Sequence, residues 1–164
     1  MRRFENKVVI VTGSARGIGF TIAERLAQEG AITIISDISE EAVNQAVTKL
    51  TEQNYHADGF VINVTDSAQI EATFKAIVAK YQRIDVLINN AGITKDTLIM
   101  RMKETDWDAV INVNLKGTFN CIQKVSRFML NQKSGNIINI ASVIGLMGNI
   151  GQSNYAASKG GIIA

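Results

Sequence analysis

Short apolar runs alternate with amphipathic stretches from one end of the chain to the other. KVVIVT (7–12), AITIIS (31–36), GFVINV (59–64), IDVLIN (84–89) and GNIINIAS (135–142) are rich in β-branched residues and bounded by turn formers, which is the pattern of strands. Between them, apolar residues recur at helical spacing. Ile18, Ile22 and Leu26 share one face of the first such stretch, Val43, Ala46, Val47 and Leu50 of the second, and Ile70, Phe74, Ile77, Val78 and Tyr81 of the third. Ser39 suits an N-cap with Glu40 and Glu41 in the first turn, and Asp66 with Gln69 suits a reciprocal helix start. A long helical region spans about 104–131, and NYAASKGGIIA (154–164) reads as the last helix.

Strands this uniformly apolar are expected to be buried on both faces, and their alternation with helices makes a parallel sheet covered on either side. Right-handed crossovers wind that sheet doubly. The expected fold class is α/β, a doubly wound, Rossmann-like parallel sheet of five strands forming a single domain over 1–164.

In such sheets ligands bind beyond the carboxyl ends of the strands. The first strand runs into TGSARGIG (12–19), where Gly13, Gly17 and Gly19 let backbone N–H groups and a helix N-terminus approach a pyrophosphate. Arg16 lies in the same turn and could reach a phosphate. The second strand is followed by Asp37, 18 residues beyond Gly19, near the spacing of an acid that holds the adenosine ribose. A carboxylate there favours NAD over NADP, because a charge beside a 2′-phosphate costs on the order of 1–4 kcal/mol at surface-like dielectric. At the third strand's end Asn63 and Val64 are candidates for the adenine edge and face. NNAG (89–92) closes the fourth strand, and the fifth ends at the hydroxyl of Ser142. On the last helix Tyr155 and Lys159 stand one turn apart on one face.

Composition narrows the classes. Hydrophobic residues make up 46% and charged residues 20% of 164 positions, a globular rather than disordered balance. A net charge of +2 is too small for a nucleic-acid surface. Cys121 and His56 are the only residues of their kinds, so neither a disulfide nor a metal centre is expected, and His56 reads as a solvated loop residue. The VVIV run behind Arg2 and Arg3 is too short for a signal peptide or a membrane span, which leaves the cytoplasm as the default location. The chain has no proline, and its breaks fall at glycine and at Asn/Asp/Ser clusters.

Together these residues resemble the short-chain dehydrogenase/reductase family over essentially the whole chain. The resemblance rests on T-G-x-x-x-G-x-G at 12–19, N-N-A-G at 89–92, Ser142, and Y-x-x-x-K at Tyr155 and Lys159, and Asn114 in NVNLKG matches the family's fourth catalytic position. NNAGITKDTLIMRMKETDWD (89–108) and IASVIGLMGNIGQSNYAASKGG (140–161) are most similar to one subfamily, the 3-oxoacyl-[acyl-carrier-protein] reductases of fatty acid synthesis.

The resemblance implies NAD(P)H-dependent reduction of a 3-oxoacyl thioester. It makes Tyr155 the proton donor, Ser142 the group that holds the carbonyl oxygen, and Lys159 both the charge that tunes the tyrosine and a ligand of the nicotinamide ribose. Asn114 would open its helix locally so that a freed carbonyl holds a water in a proton relay. Cofactor contacts fall to Gly13, Ser14, Arg16, Gly17, Ile18, Gly19, Asp37, Asn63, Val64, Asn90, Ala91 and Gly92, with Tyr155 and Lys159. Acyl carrier protein is the implied partner, with Lys133 at a position where a basic residue meets it, and the assembly is a homotetramer. Asp37 departs from a subfamily many of whose members are built for NADP, and Asn63 stands where the family often has aspartate.

Family members continue into two more strands, so the chain is expected to be C-terminally incomplete, with NIINIA left as an unprotected apolar edge. The last helix ends within about two turns of Tyr155, leaving little to dock, and the 164-residue chain alone is expected to be inactive. Two alternatives remain: a short-chain reductase or dehydrogenase of another small carbonyl or alcohol, and a non-catalytic, truncated remnant that binds nucleotide or associates with full-length subunits through 104–131.

Overall fold

The computed structural model describes residues 2–164. Strands β1 (Val8–Thr12), β2 (Ile32–Asp37), β3 (Ala57–Val61), β4 (Val86–Asn89) and β5 (Asn136–Asn139) form one parallel sheet in the order β3-β2-β1-β4-β5. The helices are α1 (Gly17–Gln28), α2 (Glu40–Thr51), α3 (Ser67–Tyr81), α4 (Glu104–Val110), α5 (Gly117–Gln132), α6 (Ile144–Met147) and α7 (Ser153–Ile163). A π-helical turn, Ile111–Lys116, joins α4 to α5, so the long helical region is continuous but locally widened.

The strand alternation of period two divides the core into two layers. Val8, Ile10, Ile34 and Leu87 pack with Phe74 and Ile77 of α3 and Val125 of α5. Val9, Val11, Ile35 and Ile88 pack on the other face with Ala23 of α1 and Val43 and Leu50 of α2. Each such side chain taken fully out of water stabilises the fold by about 1.5–3 kcal/mol before entropy is counted. The strand order reverses between β1 and β4, which places their C-terminal ends at the point where doubly wound sheets bind ligands.

Burial on both faces holds for the centre of the sheet and fails at its flanks. β1 is buried throughout, β3 is half-buried, and every residue of β5 is exposed, with Ile137 at 36% and Ile138 at 48%. The β5 edge is thus the open apolar flank the sequence suggests. β3 lies two residues earlier than its apolar run because pairing, not hydropathy, sets it: Ala57 stands opposite Thr33 and Val61 opposite Asp37. The Ile62 N–H still reaches the Asp37 carbonyl, and Asn63 then turns the chain by accepting the Thr65 N–H at 3.0 Å.

Two further differences concern helix faces and caps. α1 buries Gly19, Ala23 and Ala27 fully, and Ile22 and Leu26 pack half-buried against the same core, but Ile18 is 70% exposed. The helix lies so close to the sheet that a Cβ on Gly19 would fall 2.5 Å from the Gly13 carbonyl oxygen, so only small residues fit there. Asp66 caps α3 by accepting the Ala68 and Gln69 N–H groups, but Gln69 reaches back to the Asn63 N–H at 2.7 Å instead of closing on Asp66. His56 is exposed as expected. Cys121 is buried, and desolvation pushes its thiol up to about 12. Among the described residues no helix is long and apolar enough to cross a membrane, and no cluster of three or more metal-ligating side chains occurs.

Candidate active site

The glycine turn after β1 is locked to the loop after β4 by buried polar groups. Thr12 Oγ1 accepts the N–H groups of both Asn90 and Ala91 at 3.0 Å, and Asn90 Nδ2 donates to the carbonyls of Thr12 and Gly13 at 2.9 and 3.0 Å. Gly13 has φ +62°, and a Cβ there would meet the Ala91 Cα at 2.8 Å, so the two segments touch backbone to backbone. Ser14 is fully buried and donates to the Val11 carbonyl while accepting the Ser36 N–H. Its hydroxyl thus braces β1 against β2 and does not face the opening.

Above this base the turn is open. Gly17, at φ +59°, would meet nothing within 4 Å if it carried a Cβ, and Arg16 and Ile18 beside it are exposed. Ser39 and Asp66 cap α2 and α3 with their side chains, whereas α1 starts after Arg16 with no side-chain cap. Its first-turn N–H groups remain available to an anion. This cradle fits the pyrophosphate of a dinucleotide. Asp37 ends β2 half-buried, with its carboxylate accepting the Ile38 N–H at 2.8 Å. Of the two adenine candidates, Asn63 is exposed, but Val64 is 7% exposed and packs over Gly117, where a Cβ would come within 2.6 Å of it. Gly92 is exposed and Ala91 half-buried at the mouth of the same opening.

The catalytic candidates come from α7, the end of β5 and the π-helical turn. Lys159 is 4% exposed, its Nζ lies 5.7 Å from the centroid of the Tyr155 ring, and it donates to the Ile140 carbonyl at 2.6 Å. Burial pulls the Lys159 ammonium below its ordinary pKa. Ser142, two residues past Ile140, accepts the Ile144 N–H at 3.2 Å with Oγ, which leaves its own O–H to donate. Asn114 is no surface residue. It is completely buried in the π-helical turn, exchanges hydrogen bonds with both backbone groups of Ile93, and donates to Ser158 Oγ at 3.1 Å. Its carbonyl accepts the Thr118 hydroxyl at 2.7 Å.

The last helix is better docked than its length suggests. A Cβ on Gly145 would lie 2.6 Å from the Lys159 carbonyl carbon, and one on Gly161 would lie 2.8 Å from Leu115, so α7 is held closely by α6 and by the π-helical turn. Thr12, part of the glycine-turn motif, and Asn154 and Ser158 carry no assigned role in the sequence, although all are buried and hydrogen-bonded within the site. The one local signal was an asparagine directly before Tyr155, a residue type favoured at helix starts.

Comparison with known proteins agrees with this geometry. The family model described as short chain dehydrogenase matches residues 7–164. The chain is 53% identical over 161 residues to the 3-oxoacyl-[acyl-carrier-protein] reductase FabG of Thermotoga maritima, covering 98% of this chain and 65% of that protein. It is 46% identical over 159 residues to the protein of that name from Vibrio harveyi, covering 97% and 64%. The chain thus spans just under two thirds of the length of these curated relatives. Among solved structures, a short chain dehydrogenase from Mycobacterium smegmatis superposes with a TM-score of 0.96 at 34% identity, covering 99% of this chain and 69% of that one. A gluconate 5-dehydrogenase from Burkholderia cenocepacia, in complex with NADP and tartrate, superposes at 0.93 with 37% identity, covering 98% and 63%. With a glycine cradle at the switch of strand order, a buried lysine beside a tyrosine on α7, and a family match over nearly all its length, the chain belongs to the short-chain dehydrogenase family.

Proposed function

We propose that the protein carrying this chain uses NAD(P)H to reduce the ketone of a 3-oxoacyl thioester, presented on acyl carrier protein, to the 3-hydroxyacyl form. The observation that carries the proposal is the buried Lys159 ammonium set against the Tyr155 ring and the end of β5. The bound nicotinamide supplies the hydride. Tyr155 gives its phenolic proton to the carbonyl oxygen, and Ser142 donates to that same oxygen as charge develops on it. The Lys159 charge favours the phenolate that proton loss leaves behind. Asn114 holds the turn after β4 against α7, and its carbonyl, which already accepts the Thr118 hydroxyl, would offer its second lone pair to a relay water. The first turn of α1, with Gly13, Gly17 and Arg16, would hold the pyrophosphate, and Asp37 would hold the adenosine ribose, slightly favouring NAD(H) over NADP(H).

Lys133 supports the carrier assignment: it ends α5 exposed, in a left-handed conformation at φ 55°. The relatives named as acyl-carrier-protein reductases add weight. A cytoplasmic homotetramer completes the reading.

Steady-state kinetics on the whole enzyme carrying this chain, with carrier-linked substrate and a short thiol mimic, test the proposal. The carrier-linked substrate should be preferred, and Tyr155→Phe should lower kcat by roughly 10²- to 10⁴-fold, the usual weight of a general acid, with little change in cofactor affinity. Near-normal turnover by Tyr155→Phe removes the proton donor. Equal rates with both substrates, unaffected by Lys133→Glu, remove the carrier.

A further inference from the structure

Asn154 is completely buried, yet it is a carboxamide in the first turn of α7, immediately before Tyr155. Each of its groups has a partner. Oδ1 accepts the Tyr155 N–H at 2.7 Å, satisfying a first-turn donor that has no acceptor inside the helix. Nδ2 donates to the Lys95 carbonyl at 3.0 Å and, less closely, to the Asp106 carbonyl at 3.4 Å. Those carbonyls belong to different elements, the loop after β4 and helix α4. Nearby links between the same segments, Thr97 N–H to the Gly151 carbonyl and Gln152 to Asp96, lie nearer the surface, where water competes for the same groups.

The remainder of α7 is fixed by other means. Ser158 binds Asn114, and Gly145 packs on the backbone of Lys159 and Gly160. Lys159 is therefore positioned from the middle of the helix, whereas the turn that bears Tyr155 is tied to the loop after β4 and to α4 by the carboxamide beside it, with the Ser158 hydroxyl donating to the Tyr155 carbonyl at 2.8 Å and Ser153 Oγ reaching Met102 Sδ at 3.6 Å.

We propose that Asn154 is a positioning residue for the proton donor. It pins the first turn of α7 to the loop after β4 and to α4, and so sets where Tyr155 stands relative to Lys159 and Ser142. It touches no reacting atom and acts through Tyr155, so the proposal rests on Tyr155 being the donor. Slack of about 1 Å at such a group can cost about a hundredfold in rate.

The test uses the whole enzyme with Asn154→Ala, Tyr155→Phe and the double substitution. Asn154→Ala should lower kcat by about ten- to a hundredfold while the cofactor dissociation constant stays within about twofold. In the Tyr155→Phe background the same substitution should cost nothing further, because the group it positions is gone. Asn154→Asp keeps the shape and the acceptor for the Tyr155 N–H but turns an oxygen toward two carbonyls, so it should lose kcat likewise, and it serves where the alanine variant does not fold. A kcat within twofold of the unsubstituted enzyme, or an equal loss in both backgrounds, overturns the proposal. Failure of both Asn154 variants to fold, read by circular dichroism, also counts against it, since the tether would then carry the fold and not the site. If Tyr155→Phe itself leaves turnover intact, the proton-donor reading falls. If Tyr155→Phe is nearly inactive while Asn154→Ala is normal, only the positioning role falls.

Discussion

β1 and β5 belong to one parallel sheet with a single strand between them, yet every residue of β1 is buried and every residue of β5 is exposed. The half of the chain built on β1, β2 and β4 has its strands closed off from water, with the glycine turn above them open: Thr12 and Asn90 lock that turn at its base, and Ser14 braces β1 on β2. The half that bears Tyr155, Lys159 and Ser142 is held from behind by α4, α6 and the π-helical turn, while its sheet flank stays open to water. Positioning of side chains and burial of the strands behind them are therefore separate here, and the chain shows the first in both halves and the second in only one. Proton and hydride transfers gain from a site that excludes water, whereas a pyrophosphate is held by backbone N–H groups that need no cover.

The sharpest way to break that contrast is to assay residues 1–164 alone. We expect no carbonyl reduction above background, although Ser142, Tyr155 and Lys159 are all in place, and residual NAD(H) binding by calorimetry. The open β5 edge should also promote self-association, visible by sedimentation. Robust, Tyr155-dependent turnover would show that the exposed flank needs no cover for chemistry. Absence of any nucleotide binding would show that the closed half is not self-sufficient.

The same contrast explains what could be read from the sequence. β1, β2 and β4 lie close to their apolar runs because burial on both faces leaves little choice of residue. β3 was displaced because an edge strand is placed by pairing, and Ala57, Asp58 and Gly59 carry no apolar signal. Of the α1 face, Ile22 and Leu26 pack on the core as their spacing suggests, while Ile18 is exposed. Small residues, Gly19, Ala23 and Ala27, are the fully buried ones, because hydropathy weights large side chains and Gly19 lies against the glycine turn. Tyr155, Lys159 and the glycine turn stand out as candidates because their spacing matches motifs of the family that the chain resembles, where the spacing of Tyr155 and Lys159 alone would not single them out. The roles of Thr12, Asn154 and Ser158 do not stand out in this way, since each acts through a partner at least 44 positions away in sequence or through a carbonyl that any residue could supply. The burial of Asn114 follows from the same kind of distant contact.

Within the closed half, Asp37 makes a prediction of intermediate size. Its carboxylate stands at the end of β2, and a 2′-phosphate beside it would be repelled. The whole enzyme should use NADH better than NADPH by about tenfold in kcat/KM, and Asp37→Ser should narrow that ratio. A clear preference for NADPH would mean that the exposed Arg16 outweighs Asp37, and would remove the charge argument from the ribose site.

The smallest expected effect concerns the rim of the closed half under acid. Hydrogen bonds from Arg3 and then Arg25 hold the Glu29 carboxyl down to about 2, and hydrogen bonds from Lys75 and then Lys124 do the same for Glu71. An unfolded glutamate titrates near 4.5, so both groups take up protons more readily when the chain unfolds. Their contribution to stability is therefore fully present above about pH 4.5 and is lost as pH falls toward the folded value near 2. Glu29 joins the N-terminal segment to the end of α1, and Glu71 joins α3 to α5, so the loss falls on elements that cover the buried strands and not on α7. Urea midpoints measured from pH 6 down to pH 2.5 should decline, and Glu29→Gln with Glu71→Gln should flatten the decline while lowering the midpoint at pH 6 modestly, as expected for largely solvent-screened pairs. An unchanged slope in the double variant would place the acid sensitivity elsewhere, with the buried Asp85 the next group to examine: burial pushes its carboxyl up, but Arg83, the Val8 N–H and Lys7 together hold it below its ordinary value.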